Sequence, residues 1–316
     1  MRICLVKTSS MGDVIHTLPA LTDAQKALPN LQVDWVVEEN FAEIPTWHSA
    51  VKQVIPVAIR RWRKQLLQRK TWQEWQVYRQ LLQQNQYDAV IDAQGLVKSA
   101  LFAVHLAQGA KHGYDKHSAR EPLATLFYDE RYTIDYQQHA VERIRQLFAQ
   151  ALGYALPSQQ GDYGIAQHFP VQHSLPPYVL LIHATTRADK HWCSQEWKKL
   201  AQNLTALGVA VHLPWGNEKE KHTAEWIAQG IENAVVLPKM NLTALAQHIA
   251  NARAVVSVDT GLAHLTAALD KPNITLYGAT NPDLIGTYGK NQYHLQAPTM
   301  GEISADAVLQ CLRPLL

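Results

Sequence analysis

Cysteine is nearly missing: Cys4, Cys193 and Cys311 are the only three in 316 residues, and no two form a CxxC pair. Neither a disulfide framework nor a zinc knuckle is supported, and a reducing cytosol suits the chain. Long apolar runs are also missing. The opening "MRICLVK" reaches Lys7 too soon for a signal-peptide core, and nothing approaches the roughly 18 apolar residues of a membrane span. Charge of one sign is lacking as well: 29 basic against 27 acidic side chains leave +2, so no whole-molecule field favours nucleic acid. The dinucleotide fingerprint GxGxxG and the P-loop GxxxxGK[ST] are both absent. That argues against a nucleotide-dependent dehydrogenase and a P-loop NTPase.

What is present is a recurring apolar run of strand length. "RICLV", "VDWVVEE", "QVIPVAI" and "YDAVIDA" occupy the first half, and "YVLLIHA", "VAVHLPW", "AVVLP", "AVVSVDT" and "NITLYG" the second, with helical segments between them. This alternation predicts parallel sheets covered by helices. Between the halves, residues 153–178 hold four prolines and three glycines without a sustained period and read as a linker. The expected organisation is an α/β chain of two domains, 1–160 and 161–300, followed by a terminal helix within 301–316. Two open α/β domains carry function on the loops after their strands, toward a common cleft.

Four such loops are chemically loaded. "KTSSMGDVI" ends a strand, turns at Gly12 and begins a helix; Asp13 is either a helix cap or a group that does chemistry on something other than a phosphate. "IDAQGLVKSA" puts Lys98 in a helical first turn, where an anion or solvent must compensate it. "LIHATTRADKHW" brings His183, Thr185, Thr186, Arg187 and Lys190 together, and hydroxyls with two cations are able to hold a diphosphate. In "VVSVDTGLAHLTAAL", Asp259, Thr260 and Gly261 precede a small-residue helix whose first amides suit a phosphate. His264, one turn further, is either a core residue or part of that site.

Two further segments join these. "LPWGNEKE" places Glu218 and Glu220 after a strand, where an acidic residue is able to accept from ribose hydroxyls. "RRWRKQLLQRK", followed by Trp72 and Trp75, gathers six cations and three tryptophans. It reads as a solvated helix face, or as a surface for an anionic acceptor or a membrane.

Taken together, "VKTSSMGDVIHTLPAL", "IPVAIRRWRK", "YDAVIDAQGLVKSA", "LIHATTRADKHW", "LPWG", "VLPKM" and "SVDTGLAHLTAALDKPNITLYG" resemble the lipopolysaccharide heptosyltransferases over nearly the whole chain. The resemblance implies a GT-B fold of two Rossmann-like domains, an N-terminal one for the acceptor and a C-terminal one for the nucleotide sugar, with the last helix packing back on the first. It implies ADP-L-glycero-β-D-manno-heptose as donor, a Kdo residue of Kdo2-lipid A as acceptor, inversion at the anomeric carbon, and neither metal nor cofactor. It also implies a cytoplasmic protein peripheral to the inner membrane, with no nucleic-acid partner. Carried over by motif, Asp13 corresponds to the general base and Lys190 to the diphosphate lysine. Thr185, Thr186, Glu220, Met240, Asp259, Thr260, Gly261 and His264 correspond to donor contacts, with Glu220 at the ribose and Met240 at the adenine. Ser10, Arg60, Arg61, Arg63, Lys64, Arg120 and His139 stand where acceptor contacts are expected. Ala279 departs from the family's "YGPT" turn. The competing readings are a relative acting on a later core acceptor and a non-catalytic two-domain anion-binding protein.

Overall fold

The computed structural model describes residues 1–172 and 176–316, so residues 173–175 of the proline-rich segment lie outside the description. The chain divides into two compact units, Met1–Gly164 and Ile165–Leu316, each built on its own six-stranded sheet.

In the first unit the strands are β1 (Arg2–Val6), β2 (Gln32–Glu38), β3 (Val51–Val57), β4 (Ala89–Asp92), β5 (Lys111–Tyr114) and β6 (Glu130–Tyr132). They pair in parallel in the order β3-β2-β1-β4-β5-β6, with Cys4 opposite Asp34 on one side and Val90 on the other. Central β1 is buried from Ile3 to Val6, which is why it reads as an unbroken apolar run. The order reverses between β1 and β4. A ligand site in an open α/β sheet forms at such a switch point, beyond the carboxyl ends of the two strands. Here those ends carry Lys7–Ser10 and Ala93–Leu96.

The second unit repeats the scheme with β7 (Tyr178–Ile182), β8 (Ala210–Leu213), β9 (Ala234–Val236), β10 (Ala254–Val258), β11 (Asn273–Tyr277) and β12 (Gln292–Gln296). All pairs are parallel in the order β12-β11-β10-β7-β8-β9. Its switch point falls between β7 and β10, bringing the loops after "YVLLI" and "AVVSV" side by side.

Two expectations are corrected. The terminal helix Ala305–Leu312 buries Ala305, Val308, Leu309 and Leu312 in the core of the second unit, together with Leu200 and Leu204 of the helix Ser194–Ala206. Lys199 pairs with Asp306 at 2.6 Å and Glu196 accepts from the Ala305 amide at 2.6 Å. The helix's apolar stripe is thus part of the second unit's own core. The segment read as linker also begins as an ordered strap of the first unit. Arg145 donates to the carbonyls of Pro157 and Gln159 at 3.2 and 2.9 Å. Gly164 takes φ +70° so close to Thr22 and His48 that a Cβ would lie 2.6 Å from the threonine hydroxyl, a position only glycine fills without strain.

Candidate active site

The loop after β1 is fastened from below. Gln94 Oε1 accepts from the amides of Thr8 and Ser9 at 3.0 and 3.1 Å. Gln94 is itself set by Asp92, whose Oδ1 accepts from the Gln94 and Gly95 amides at 2.8 and 3.2 Å. Asp92 Oδ2 takes Tyr128 OH at 2.7 Å. Burial raises the Asp92 pKa, and these hydrogen bonds oppose the rise. Lys7 lies under the loop with its ammonium donating to Ala93 O at 2.7 Å. Burial pushes its pKa below the ordinary lysine range, against the pull of Asp13 and Asp92. The loop lysine is therefore a buried brace and is not offered to a phosphate.

The N-cap of the helix Met11–Ile15 is Ser10, not Asp13. Asp13 sits at the third helical position and reaches back in a capping box, where Oδ2 accepts from Ser10 N at 2.6 Å and Ser10 Oγ at 2.9 Å. Oδ1 accepts no hydrogen bond among the described residues, and the side chain is partly exposed. The two readings of Asp13 are therefore compatible. One oxygen orients the carboxylate through Ser10 and the other is left without a hydrogen bond among the described residues.

Of the residues expected at an acceptor, Arg120 is exposed and Ser10 is the cap just described. His139 caps the helix Ala140–Leu152, accepting from Val141 N at 3.2 Å, and meets His16 edge to face. Arg143, one turn beyond His139, adds a cation that the sequence reading did not single out. Its guanidinium lies 3.9 Å from the Tyr136 ring, donates to Ser118 O at 2.8 Å and leaves a buried Nε without a partner among the described residues. Its i+4 spacing from His139, in the same helix, was the available signal.

The basic segment divides by role. Arg61 is engaged by Glu39 at 2.9 Å and Glu74 at 2.8 Å, and these carboxylates hold its pKa above the ordinary arginine range. It braces the segment. Arg60, Arg63 and Lys64 remain exposed around it.

In the second unit the switch point joins two loops. Thr185 Oγ1 donates to Asp259 O at 3.0 Å, and Lys190 Nζ meets Asp259 Oδ2 at 2.5 Å. Beside them begins the helix Gly261–Ala268. Its N-cap Thr260 makes no side-chain cap bond, and Gly261 and Leu262 are only partly covered. The first amides of such a helix are able to receive an anion, and Lys190 is tied to Asp259 just before it. His264 is buried within this helix and Thr186 is exposed at the loop. Arg187 pairs instead with Asp189 at the surface, so only one of the two cations in "TTRADK" is turned toward Asp259.

Glu220 closes another corner. Its carboxylate accepts from Gly216 N at 2.7 Å and Asn217 Nδ2 at 2.6 Å, and its carbonyl meets His183 Nε2 at 3.1 Å. Burial lowers the His183 pKa. Met240, partly exposed, immediately precedes the helix cap Asn241. Among the described residues no group of three or more His, Cys, Asp or Glu could hold a metal ion.

This geometry meets known proteins over its whole extent. Residues 75–311 match glycosyltransferase family 9 (heptosyltransferase). The chain is 56% identical over 321 residues, covering both chains completely, to lipopolysaccharide heptosyltransferase 1 of Escherichia coli K12. Against the protein of that name from Pseudomonas aeruginosa it is 53% identical over 296 residues, 93% of this chain and 83% of the other. The structure of E. coli heptosyltransferase WaaC with ADP superposes with a TM-score of 0.97 at 55% identity, covering all of both chains. E. coli ADP-heptose lps heptosyltransferase II shares the fold at a TM-score of 0.78 and 21% identity, covering 100% of this chain and 98% of that one. The two parallel sheets are thus those of a GT-B-type glycosyltransferase, and the chain belongs to glycosyltransferase family 9, the heptosyltransferases.

Proposed function

We propose that the protein transfers L-glycero-D-manno-heptose from ADP-heptose to a Kdo residue of Kdo2-lipid A, with inversion, at the cytoplasmic face of the inner membrane. The observation that carries this reading is the pair of switch-point sites: a carboxylate on Asp13 held through one oxygen by Ser10, and a lysine paired with Asp259 beside the start of the helix at Gly261. Support for the donor comes from relatives solved with ADP and with ADP-2-deoxy-2-fluoro heptose.

In one displacement the acceptor oxygen bonds to the anomeric carbon while its proton passes to Asp13 Oδ1. The bond from that carbon to the diphosphate breaks, and its electron pair leaves with ADP. Lys190 and the amides after Thr260 meet the growing negative charge, a preorganised form of stabilisation. Asp259 holds the lysine in place through a partly buried ion pair. The carboxylate removes the proton as the base of an inverting glycosidase does. Base and diphosphate site belong to different units, so the reaction requires both. Glu220 and Met240 serve the adenosine end. Arg60, Arg63, Lys64, Arg120 and Arg143 offer cations to the acceptor's carboxylates and phosphates.

The test is incubation of the protein with ADP-heptose and Kdo2-lipid A, followed by mass spectrometry and ADP release. One added heptose per acceptor with stoichiometric ADP is expected, unchanged by a chelator. ADP release without added sugar mass would contradict it, as would transfer only to an acceptor that already carries heptose.

A further inference from the structure

The segment with the most concentrated charge also holds an apolar pocket. Between Glu43 and Asp88 the chain carries eight cations and a single carboxylate, Glu74. Within that stretch a pocket of about 240 Å³ opens in the first unit, lined by Trp62, Arg63, Leu66, Trp72, Trp75 and Phe102 among others. Its frame is fixed. Trp75 packs on Trp62, Tyr78 and Phe102 at ring distances of 5.5–5.8 Å, and Arg61 clamps Glu39 and Glu74 behind it.

The two indole donors closest to the mouth are already satisfied. Trp62 Nε1 donates to Glu74 at 2.8 Å and Trp72 Nε1 to Leu66 O at 2.9 Å. With Ile59, Leu66 and Phe102 beside them, the walls offer mostly carbon, which suits a hydrocarbon chain better than a sugar. Around the mouth the apolar surface continues outward. Leu66 and Trp72 are each 56% exposed and Leu67 is fully exposed. Arg60, Arg63, Lys64, Arg69 and Lys70 stand exposed about them. Exposed leucines and a tryptophan ringed by cations match an anionic lipid surface in both polarity and charge.

We propose that residues 59–83 form the membrane-docking face, and that the pocket receives an acyl chain of an anionic bilayer phospholipid whose headgroup the surrounding cations hold. This rests on the reading that the acceptor is lipid-borne, and it identifies the surface that brings the first unit to that lipid. Each buried methylene of the chain strengthens binding about fourfold, and the cations add a term that salt screens.

The test uses vesicles that contain no glycosyl acceptor. The wild-type protein should sediment with phosphatidylglycerol vesicles about tenfold or more better than with phosphatidylcholine vesicles, and phosphatidylglycerol brominated along its chains should quench tryptophan fluorescence. Leu67→Asp, whose side chain has no burial to lose, should weaken partitioning about tenfold, and Leu66→Asp should also relieve the quenching. Leu207→Asp, at a comparably exposed leucine of the second unit, should change neither. Equal binding to both lipids, unaltered binding by Leu67→Asp, or quenching that survives Leu66→Asp would overturn the proposal. So would a dimer that Leu67→Asp disperses while vesicles fail to bind, which would assign the face to a second copy of the chain. Transfer to a water-soluble deacylated acceptor, measured in parallel, needs no bilayer. Its failure bears on the transferase reading alone.

Discussion

Lys190 and Asp259 show how one side chain serves two ends. The carboxylate is nearly buried and accepts the ammonium at 2.5 Å, so the lysine is held in place in advance of the diphosphate that the transfer reading assigns to it. Lys190→Ala removes the positive charge and leaves Asp259 to repel an anion. Transfer should fall on the order of 10²-fold and ADP binding should weaken with it, as steady-state kinetics and calorimetry would show; wild-type ADP affinity would contradict the role. The loop that carries Lys190 was legible in the sequence because hydroxyls and cations clustered after a strand. Which of its two cations faces Asp259 was not, since the Arg187–Asp189 pair depends on the turn's conformation. Burial of Lys7 was equally hidden. A lysine in a polar loop reads as exposed until the Ala93 carbonyl, 86 residues away in sequence, is placed beneath it. Asp13 was legible as a choice between cap and base, and the structure shows that Ser10 is the cap and that Asp13 braces it through one oxygen.

At the scale of elements, the nine apolar runs found in the sequence all became strands, and the three that escaped notice were β5, β6 and β12. Strands β6 and β12 lie at sheet edges and β5 next to one. Only the central strands need be apolar on both faces, so "KHGY", "ERY" and "QYHLQ" carry no apolar run to detect. The terminal helix was legible as a helix, but its partner was not, because an apolar stripe does not say which core it enters. The basic segment was legible as a charge cluster, though the bracing of Arg61 required Glu39 and Glu74 from other elements. A sharper test at this scale is Arg145, buried with Asp23 at 2.6 Å and bonded also to Glu142 and the 157–159 strap. Removing one partner of a buried pair costs about 3–5 kcal/mol. Arg145→Ala should lower the melting temperature of the first unit by on the order of 10 °C. A loss of only one or two degrees would show that the strap is held by other contacts.

For the whole molecule, stability should decline on mild acidification. His48 is buried between Thr22 Oγ1 at 3.0 Å and the Ala50 amide, which donates to Nδ1 at 3.2 Å. Burial depresses its pKa to about 4. The unfolded chain, with an ordinary histidine, binds the proton more readily between about pH 6.5 and 4. The contribution of neutral His48 is therefore complete above pH 6.5 and is lost as pH falls through 4, in total about 3 kcal/mol. Urea unfolding at pH 7, 5.5 and 4.5 should show this decline, and His48→Gln should flatten it; parallel curves for the two proteins would exclude His48 as its source. In the second unit His212, its pKa also lowered by burial to about 4, adds to the decline with the same sign.

Each unit has a switch point in its strand order, and the transfer reading asks for a base at one and a diphosphate site at the other. The most direct test is Asp13→Asn. The amide preserves an acceptor for Ser10 and the shape of the capping box, and removes the negative charge together with the capacity to take a proton. Transfer from ADP-heptose should fall about 10²–10⁴-fold while calorimetry finds ADP bound as tightly as by the wild-type protein. Turnover near the wild-type rate would contradict the assignment of Asp13 as the base.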